Sequence, residues 1–319
     1  MTLQEIRAFY NYFTTTADKV GLVLYILIEE DRVTKIMQAD IDELTSIDLK
    51  STYIDSLAKI ITDDTLELMP ISQGDNRKDV WYEYDLEDVP VRLKNMSEVL
   101  KNANFPIFDF GDGNFSQIKG FIITIGNDTK KIALYKNLTH LNMIRGASVL
   151  GIRYANNRFE RVREDIIKLS SNIDFFQIND SIFIINVKTL ERGFNFETIV
   201  RKQALKNIDI IEKLNLIEDI TPLKEMAQEL SFAKKITKIR EDSPVINLPV
   251  NQIVNFVKTH PPLKNRIRTN NDESRIVLDT KVSQKLFLKL INDDLLTSEL
   301  TLRYYDILAK DSIIIEEDV

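Results

Sequence analysis

The sequence has no cysteine and only two histidines, and these shortages exclude much catalytic and metal chemistry. Without cysteine there are no disulfides, thiolate metal sites, iron–sulfur clusters or cysteine nucleophiles. His140 and His260 do not stand at a metal-ligand spacing, and we predict structural or surface roles for both. No glycine-rich phosphate-binding motif and no G-x-S-x-G nucleophile elbow is present. We therefore predict a protein that is not an enzyme and holds no cofactor or metal.

Glycine, proline and long apolar runs are also scarce. Nine glycines and eight prolines in 319 residues exclude collagen-like and low-complexity architectures. The most apolar runs, residues 21–28 and 182–187, are far shorter than the roughly 20 residues of a membrane-spanning helix. The N-terminal residues lack the basic start and apolar stretch of a secretory signal. We expect a cytoplasmic protein without direct membrane insertion.

Charge is distributed unevenly along a chain whose net charge is −7. Residues 1–130 carry 13 basic and 23 acidic side chains, a net charge of −10. Residues 131–240 carry 19 and 13, a net charge of +6, and residues 241–319 carry 10 and 13, a net charge of −3. Such a split is typical of chains whose parts meet different partners, although charge also fluctuates along sequences with no such role.

Hydrophobic periodicity predicts an α+β fold in which antiparallel β-rich segments pack with helices. The apolar run 21–28, a polar link and residues 33–37 predict a hairpin. Short β-type segments between residues 118 and 187 predict an antiparallel meander, and apolar residues at helical spacing predict helices from residue 196 onward. The loop-rich stretch 105–116 separates two predicted domains: an acidic N-terminal α+β domain over residues 1–115 and a second α+β domain over residues 116–319.

Cations cluster in three groups toward the C-terminal end. The first lies in the segment SFAKKITKIR, where a helix would place Lys234 and Lys238 on one face. The second follows the stiff Pro261-Pro262 pair, and the third repeats every four residues along a predicted helix over 282–291. Lys258, just before the two prolines, also belongs to the second group. The ten members chosen as candidates are Lys234, Lys235, Lys238 and Arg240; Lys264, Arg266 and Arg268; and Lys281, Lys285 and Lys289.

These ten residues are the candidate DNA-binding side chains. Neutralisation of phosphates requires cations and no sequence motif, so the groups together predict contact with duplex DNA and little dependence on base sequence. No aromatic residues alternate with the cations, which argues against binding of single strands by stacking. Taken one at a time, each group is also typical of a solvated surface.

Two alternatives to DNA binding stay open. Asp279 and Lys281 have the acid-x-Lys spacing of Mg²⁺-dependent nucleases, in which carboxylate oxygens hold the metal. Such triplets are common by chance. The second alternative is a protein-interaction adaptor that has no contact with nucleic acid.

Two segments carry sequence motifs of a known bacterial family. The first, DFFQINDSIFIINVKTLERGFNFE over residues 174–197, contains an I-x-N passage at Ile184 and Asn186 that leads to Glu197. The second, KLINDDLLTSELTLRYYDILAKDS over residues 289–312, resembles the family's L-x-N-D-D-x-L-x-S-x-L-T stretch, with Ile291 where a second leucine is expected. The matching positions of this stretch are Leu290, Asn292, Asp293, Asp294, Leu296, Ser298, Leu300, Thr301, Tyr305 and Lys310.

Through these motifs the chain resembles the bacterial KwaB family of the Kiwa anti-phage defence system. The resemblance, which covers roughly residues 120–319, implies a soluble, homodimeric, DNA-binding effector. Such proteins act beneath a membrane partner, KwaA, and block replication or expression of invading phage DNA. The partners to expect are therefore duplex DNA, a KwaA-like membrane protein that recruits the chain to the inner face of the membrane, and a second copy. No catalytic residues transfer. In the second segment we predict that Asp293 and Asp294 end a helix or lie in a turn, that Ser298 caps a backbone group, and that Leu295, Leu296 and Leu300 are core.

Overall fold

The computed structural model describes residues 1–31, 33–74, 80–102, 104–109, 117–139, 142–144, 151–155, 158–162 and 164–306. His140, Lys310 and most of the loop 105–116 lie outside these residues. The chain forms two compact units. Unit 1 comprises Met1–Pro70, Asp79–Tyr84 and Val89–Phe194, and unit 2 comprises Ile71–Lys78, Asp85–Asp88 and Asn195–Val319.

Unit 1 is built on a sheet with helices on both of its faces. Its helices are α1 (Leu3–Thr15), α2 (Glu43–Ile61), α3 (Val91–Lys101) and α4 (Val187–Gly193). Its strands are β1 (Gly21–Glu30), β2 (Val33–Gln38), β3 (Glu67–Pro70), β4 (Val80–Glu83), β5 (Ile118–Gly126), β6 (Lys131–Asn137), β7 (Met143–Ile144), β8 (Gly151–Ala155), β9 (Arg158–Val162), β10 (Ile166–Ile167), β11 (Phe175–Ile178) and β12 (Ser181–Ile184).

The main sheet has the strand order β2-β1-β5-β6-β11-β12-β4-β3. All neighbours are antiparallel except β3 and β4, which are parallel. The α+β prediction and the β1–β2 hairpin are confirmed. The predicted meander holds for β5, β6, β11 and β12, whereas β8 pairs with β9 and β7 pairs with β10 in separate small sheets.

Alternation along the strands supplies the core of unit 1. Leu134 of β6 and Phe176 of β11 belong to the apolar cluster that also contains buried residues of α1 and α2. Their neighbours Tyr135 and Phe175 are buried with Phe194 in a cluster of ring contacts at 5.1–5.4 Å between centroids. Because both faces of the sheet are covered, the strands β1, β5, β11 and β12 are apolar at most positions, and this explains the continuous apolar runs in the sequence.

Unit 2 is mainly helical. Its helices are α5 (Phe196–Lys213), α6 (Thr221–Met226), α7 (Leu230–Ile236), α8 (Val250–Thr259) and α9 (Lys281–Ile291). Its short strands are β13 (Arg268–Thr269), β14 (Ile276–Val277), β15 (Leu295–Thr297) and β16 (Tyr304–Asp306), which pair as β13–β14 and β15–β16. The apolar stripe of α5, including Val200, Ala204, Ile208 and Ile211, is buried as its spacing predicts.

The two units divide the chain elsewhere than the boundary predicted between residues 115 and 116. Strand β5, which follows that boundary, pairs along almost its whole length with β1, which precedes it. Long-range strand pairing of this kind leaves no trace in local composition. Among the described residues, no helix has both the length and the apolar character needed to cross a bilayer.

The C-terminal family-like stretch forms the end of α9 and the β15–β16 hairpin. Asp293 has a left-handed φ of 57° where α9 ends, which confirms its predicted role. The Ser298 hydroxyl accepts a hydrogen bond from the Thr301 amide at 3.2 Å in the hairpin turn. The prediction that Leu296 and Leu300 are core is wrong, since they are 41% and 94% exposed in a short hairpin with an open face.

Candidate nucleic-acid interface

The position of the first basic group depends on where α7 ends. Asn207 of α5 is buried, and its side-chain amide donates to the carbonyls of Ile236, Thr237 and Ile239 at 3.2, 3.1 and 2.7 Å. These are carbonyls at and just beyond the C-terminus of a helix, which need partners from outside the helix. The Asn207 amide therefore fixes the end of α7 against α5.

This early end corrects one expectation from the sequence. Lys234 and Lys235 lie in the last turn of α7, but Lys238 and Arg240 follow the helix in a turn. Lys234 and Lys238 thus do not share a helical face. The Lys238 carbonyl accepts a hydrogen bond from the Gln73 amide at 3.0 Å, which holds this turn within unit 2.

Helix α9 carries the third basic group and begins at a well-formed cap. The Thr280 hydroxyl accepts from the Ser283 amide at 3.0 Å, and the Ser283 hydroxyl accepts from the Thr280 amide at 3.1 Å. The apolar face of α9 is buried, whereas Lys281 and Lys285 are exposed and Lys289 is half-buried. The predicted basic stripe is therefore present on the solvent side of α9.

Two contacts bring α7 and α9 together. The ammonium of Lys285 lies 5.9 Å from the centroid of the Phe232 ring. At the other end of α9, the Asn292 amide donates to the Lys235 carbonyl at 3.1 Å. The first and third basic groups, remote in sequence, consequently lie in one region of unit 2.

The second basic group follows α8. His260 is buried between the ring of Phe256, at 4.4 Å between centroids, and that of Tyr304, at 5.1 Å. Burial lowers the pKa of His260, which therefore stays neutral near pH 7. The turns that follow expose Lys264 and Arg266 before the chain enters β13 at Arg268.

Arg268 links this group to the start of α9 through an ion pair with Asp279. No hydrogen bond or ion pair among the described residues joins Lys264 or Arg266 to α7 or α9. The structure thus brings the α7 and α9 lysines and Arg268 into one region, and leaves Lys264 and Arg266 exposed in the turns before it.

Three of the ten candidate cations are neutralised by carboxylates within the chain. Arg240 donates to both oxygens of Asp242 at 3.0 and 2.6 Å, and this pairing raises the pKa of Arg240 and lowers that of Asp242. Arg268 pairs with Asp279, and Lys289 with Asp306. Within the part of the chain that the structure describes, five candidates form no ion pair: Lys235, Lys264, Arg266, Lys281 and Lys285.

The geometry around Asp279 gives little support to the nuclease alternative. Asp279 is engaged by the guanidinium of Arg268. In the described ranges, no group of three or more acidic or histidine side chains could hold a metal ion. A Mg²⁺ site needs such clustered oxygen ligands.

Sequence reasoning missed two residues that shape this region. Phe232 stands two positions before Lys234 in the basic segment, but its contact with Lys285 requires α9, about 50 residues later. Asn207 lies in the middle of a helix, where an uncharged polar residue carries only a weak local signal. An asparagine among the apolar positions of an amphipathic helix was the only available hint, because a buried amide needs partners.

Comparison with known proteins points to one family. The family model described as "Kiwa protein KwaB-like" matches residues 115–301. "Kiwa protein KwaB" of Escherichia coli O55:H7 (strain RM12579 / EPEC) is 30% identical over 305 residues, which cover 94% of this chain and 92% of that protein. No solved structure matches this chain.

Proposed function

Because this chain belongs to the Kiwa KwaB-like family, which gives it a role in anti-phage defence, we propose that it binds duplex DNA through lysine and arginine contacts to phosphates. Binding of this kind depends little on base sequence, because phosphates carry no sequence information. In this proposal the protein blocks replication or expression of phage DNA by occupying the duplex rather than by cutting it.

The observation that supports this proposal is the pair of contacts that joins the α7 and α9 regions. The contacts Phe232–Lys285 and Asn292–Lys235 gather lysines from two separate segments, and Lys235, Lys281 and Lys285 form no ion pair within the described residues. An ammonium without a carboxylate partner keeps its attraction for an external anion. A cation already paired must first lose its partner.

The salt dependence of duplex binding tests the proposal. Each neutralised phosphate contributes about −0.9 to the slope of log affinity against log salt. If the five cations without ion pairs each contact a phosphate, affinity falls by roughly 100-fold to 1,000-fold between 50 and 200 mM salt. Fluorescence anisotropy with labelled duplexes of unrelated sequence measures this. Equal affinity at both salt concentrations, or binding to one sequence alone, would contradict the proposal.

Charge reversal tests the choice of residues. We expect Lys234→Glu with Lys235→Glu, and Arg266→Glu with Arg268→Glu, each to weaken duplex binding by at least ten-fold. Each pair removes one cation that forms no ion pair among the described residues, Lys235 or Arg266, and each adds repulsion. The matched control is Lys59→Glu with Lys101→Glu, which changes net charge equally at exposed positions of unit 1. A control that weakens binding as much would show that net charge alone is responsible.

We also propose the two protein partners expected of the family. A KwaA-like membrane protein would recruit this chain to the inner face of the cell membrane, and a second copy would form a homodimer. The acidic residues of the N-terminal part suit a protein partner better than DNA. Fractionation with and without the neighbouring membrane protein tests recruitment, and light scattering of the purified chain tests dimerisation. A monomer in solution, or a membrane fraction independent of that protein, would contradict these proposals.

A further inference from the structure

A small cavity lies where α6 and α7 meet the first turns of α9. Its volume is about 100 Å³, and its lining residues are Met226, Glu229, Phe232, Lys281, Gln284 and Lys285. Pockets for whole cofactors or drug-sized ligands have roughly 300–1,000 Å³. This cavity is therefore too small for a dinucleotide cofactor. Its size suits one planar ring, and any group attached to that ring must lie outside, beside the exposed Lys281 and Lys285.

The lining combines an aromatic face with two cations. Phe232 is half-buried and so offers a ring to a ligand while its position is held by packing. Lys281 and Lys285 stand four residues apart on the same face of α9, and neither forms an ion pair within the described chain. An aromatic ring beside two ammonium groups matches a base joined to a phosphate.

The present contact of Lys285 leaves room for such a ligand. At 5.9 Å from the Phe232 centroid, its ammonium lies at the outer limit of a cation–π contact. A base that stacks on the ring replaces this weak contact. The lysine side chain has four rotatable carbons, so its ammonium can then move to the phosphate.

Glu229 and Gln284 add a preference among bases. The carboxylate of Glu229 is an acceptor, which suits the amino group of cytosine or adenine and does not suit the carbonyl of thymine. The amide nitrogen of Gln284 donates to the Leu278 carbonyl at 3.2 Å. Its side-chain oxygen has no hydrogen-bond donor among the described residues and can serve as a second acceptor. The carboxylate also repels phosphate, and the ligand must therefore place its base toward Glu229 and its phosphate toward the lysines.

We propose that this cavity binds the base of a single nucleotide, stacked on Phe232, while Lys281 and Lys285 hold the phosphate of that nucleotide at the rim. The nucleotide is either a free nucleoside monophosphate or an unpaired nucleotide at the end of a DNA strand. The second source rests on the proposed DNA binding, and the first does not.

Binding of three duplexes to the full-length chain tests the proposal: one blunt, one with a single unpaired cytidine at each end, and one with thymidine instead. Isothermal titration with cytidine monophosphate tests the free nucleotide. Stacking on an aromatic side chain is worth about ten-fold in affinity. We expect the cytidine overhang to bind about ten-fold more tightly than the blunt duplex, and the thymidine overhang to gain less.

Variants connect this gain to the cavity. Phe232→Leu should abolish the difference between overhang and blunt duplex, and Glu229→Gln should abolish the difference between cytidine and thymidine. Phe256→Leu is the matched control, because it alters another half-exposed ring of unit 2 outside the cavity. If Phe232→Leu unfolds the protein, Lys281→Ala with Lys285→Ala, at exposed positions, supplies the same test through loss of cytidine monophosphate binding.

The outcomes separate the two proposals. Titration of cytidine monophosphate that depends on Phe232, without an overhang effect, identifies the free nucleotide as the ligand. No overhang effect and no titration overturn the proposal. Failure to bind blunt duplex overturns the proposed function, while the titration still decides whether the cavity binds a nucleotide.

Discussion

In unit 1 the carboxylate of Asp174 is buried 3.9 Å from the buried ammonium of Lys136. Asp174 also accepts hydrogen bonds from the Asn137 amide at 2.9 Å, the Asn186 side chain at 2.9 Å and the Thr189 hydroxyl at 3.0 Å. Unit 2 also has a buried polar residue with several hydrogen-bond partners, but this residue is uncharged. It is Asn207, whose side-chain amide donates to three carbonyls at the end of α7.

The difference between Asp174 and Asn207 determines which cations remain available at the protein surface. The Asp174 cluster uses Lys136 inside the fold, so that cation serves stability. Lysines near a helix C-terminus often bind the last carbonyls of that helix. In α7 the Asn207 amide meets this need, and the side chain of Lys235 forms no ion pair in the described residues. Because Asn207 is neutral, its buried hydrogen bonds use no cation, and the nearby lysine remains available for an external anion.

The largest effect on stability should follow from removal of the buried Asp174 carboxylate in unit 1. Asp174→Ala leaves the ammonium of Lys136 buried without its partner and removes the acceptor of three hydrogen bonds. Loss of one partner of a buried ion pair costs about 3–5 kcal/mol. We therefore expect the free energy of unfolding to fall by that amount, measured by urea denaturation.

Asp180→Ala is the control for this variant. Asp180 forms an ion pair with Lys101 at 3.8 Å, but its side chain is 93% exposed. Exposed pairs contribute little, so this change should alter the free energy of unfolding by less than about 1 kcal/mol. Equal losses of unfolding free energy in the two variants would show that the buried Asp174 stabilises the protein no more than an exposed ion pair does.

The second-largest effect on stability should follow from removal of the buried Asn207 side chain in unit 2. Asn207→Ala leaves the carbonyls of Ile236, Thr237 and Ile239 without the donor that now satisfies them. Unsatisfied buried polar groups cost about 1–3 kcal/mol. We expect a loss of this size in the free energy of unfolding, and weaker duplex binding as the end of α7 becomes less fixed.

Gln203→Ala separates these effects. The Gln203 amide donates to the side-chain oxygen of Asn207 at 2.9 Å, and its removal leaves the three carbonyl bonds in place. We expect a loss of less than about 1 kcal/mol and unchanged duplex affinity. An Asn207→Ala variant as stable as the Gln203→Ala variant would contradict the role given to Asn207.

The elements of both units were largely predictable because they follow from local patterns. The α5 stripe, the β1–β2 hairpin and the basic face of α9 depend on residues within one element or two adjacent ones. The predicted domain boundary had no such basis, since pairing of β1 with β5 joins segments almost 100 residues apart. The exposed position of Leu300 was equally hidden, because a leucine in a short hairpin has the same local pattern whether or not another element covers it.

The candidate interface was predictable in composition but not in pairing. All ten cations were visible in the sequence, and their carboxylate partners were not. Arg240 finds Asp242 two residues away, but Arg268 finds Asp279 only because β13 and β14 pair. Phe232 joined the region through a contact with a distant helix. Long-range contacts therefore decide which cations are free to bind an anion.

The last and smallest effect tests that conclusion at Arg268. Asp279→Ala removes a carboxylate beside the start of α9 and releases the guanidinium of Arg268. One additional phosphate contact raises duplex affinity by up to about ten-fold at 0.1 M salt, and steepens the salt slope by about 0.9. Asp272→Ala, at an exposed acid with no ion pair among the described residues, controls for the change in net charge.

The nuclease alternative makes a different prediction for the same variant: plasmid incubated with Mg²⁺ would be cut by the unaltered protein and left intact by Asp279→Ala. Binding that tightens in Asp279→Ala but not in Asp272→Ala, without cutting by the unaltered protein, would mean that Asp279 restrains a DNA-binding cation, because the two variants change net charge equally and only one of them breaks an ion pair.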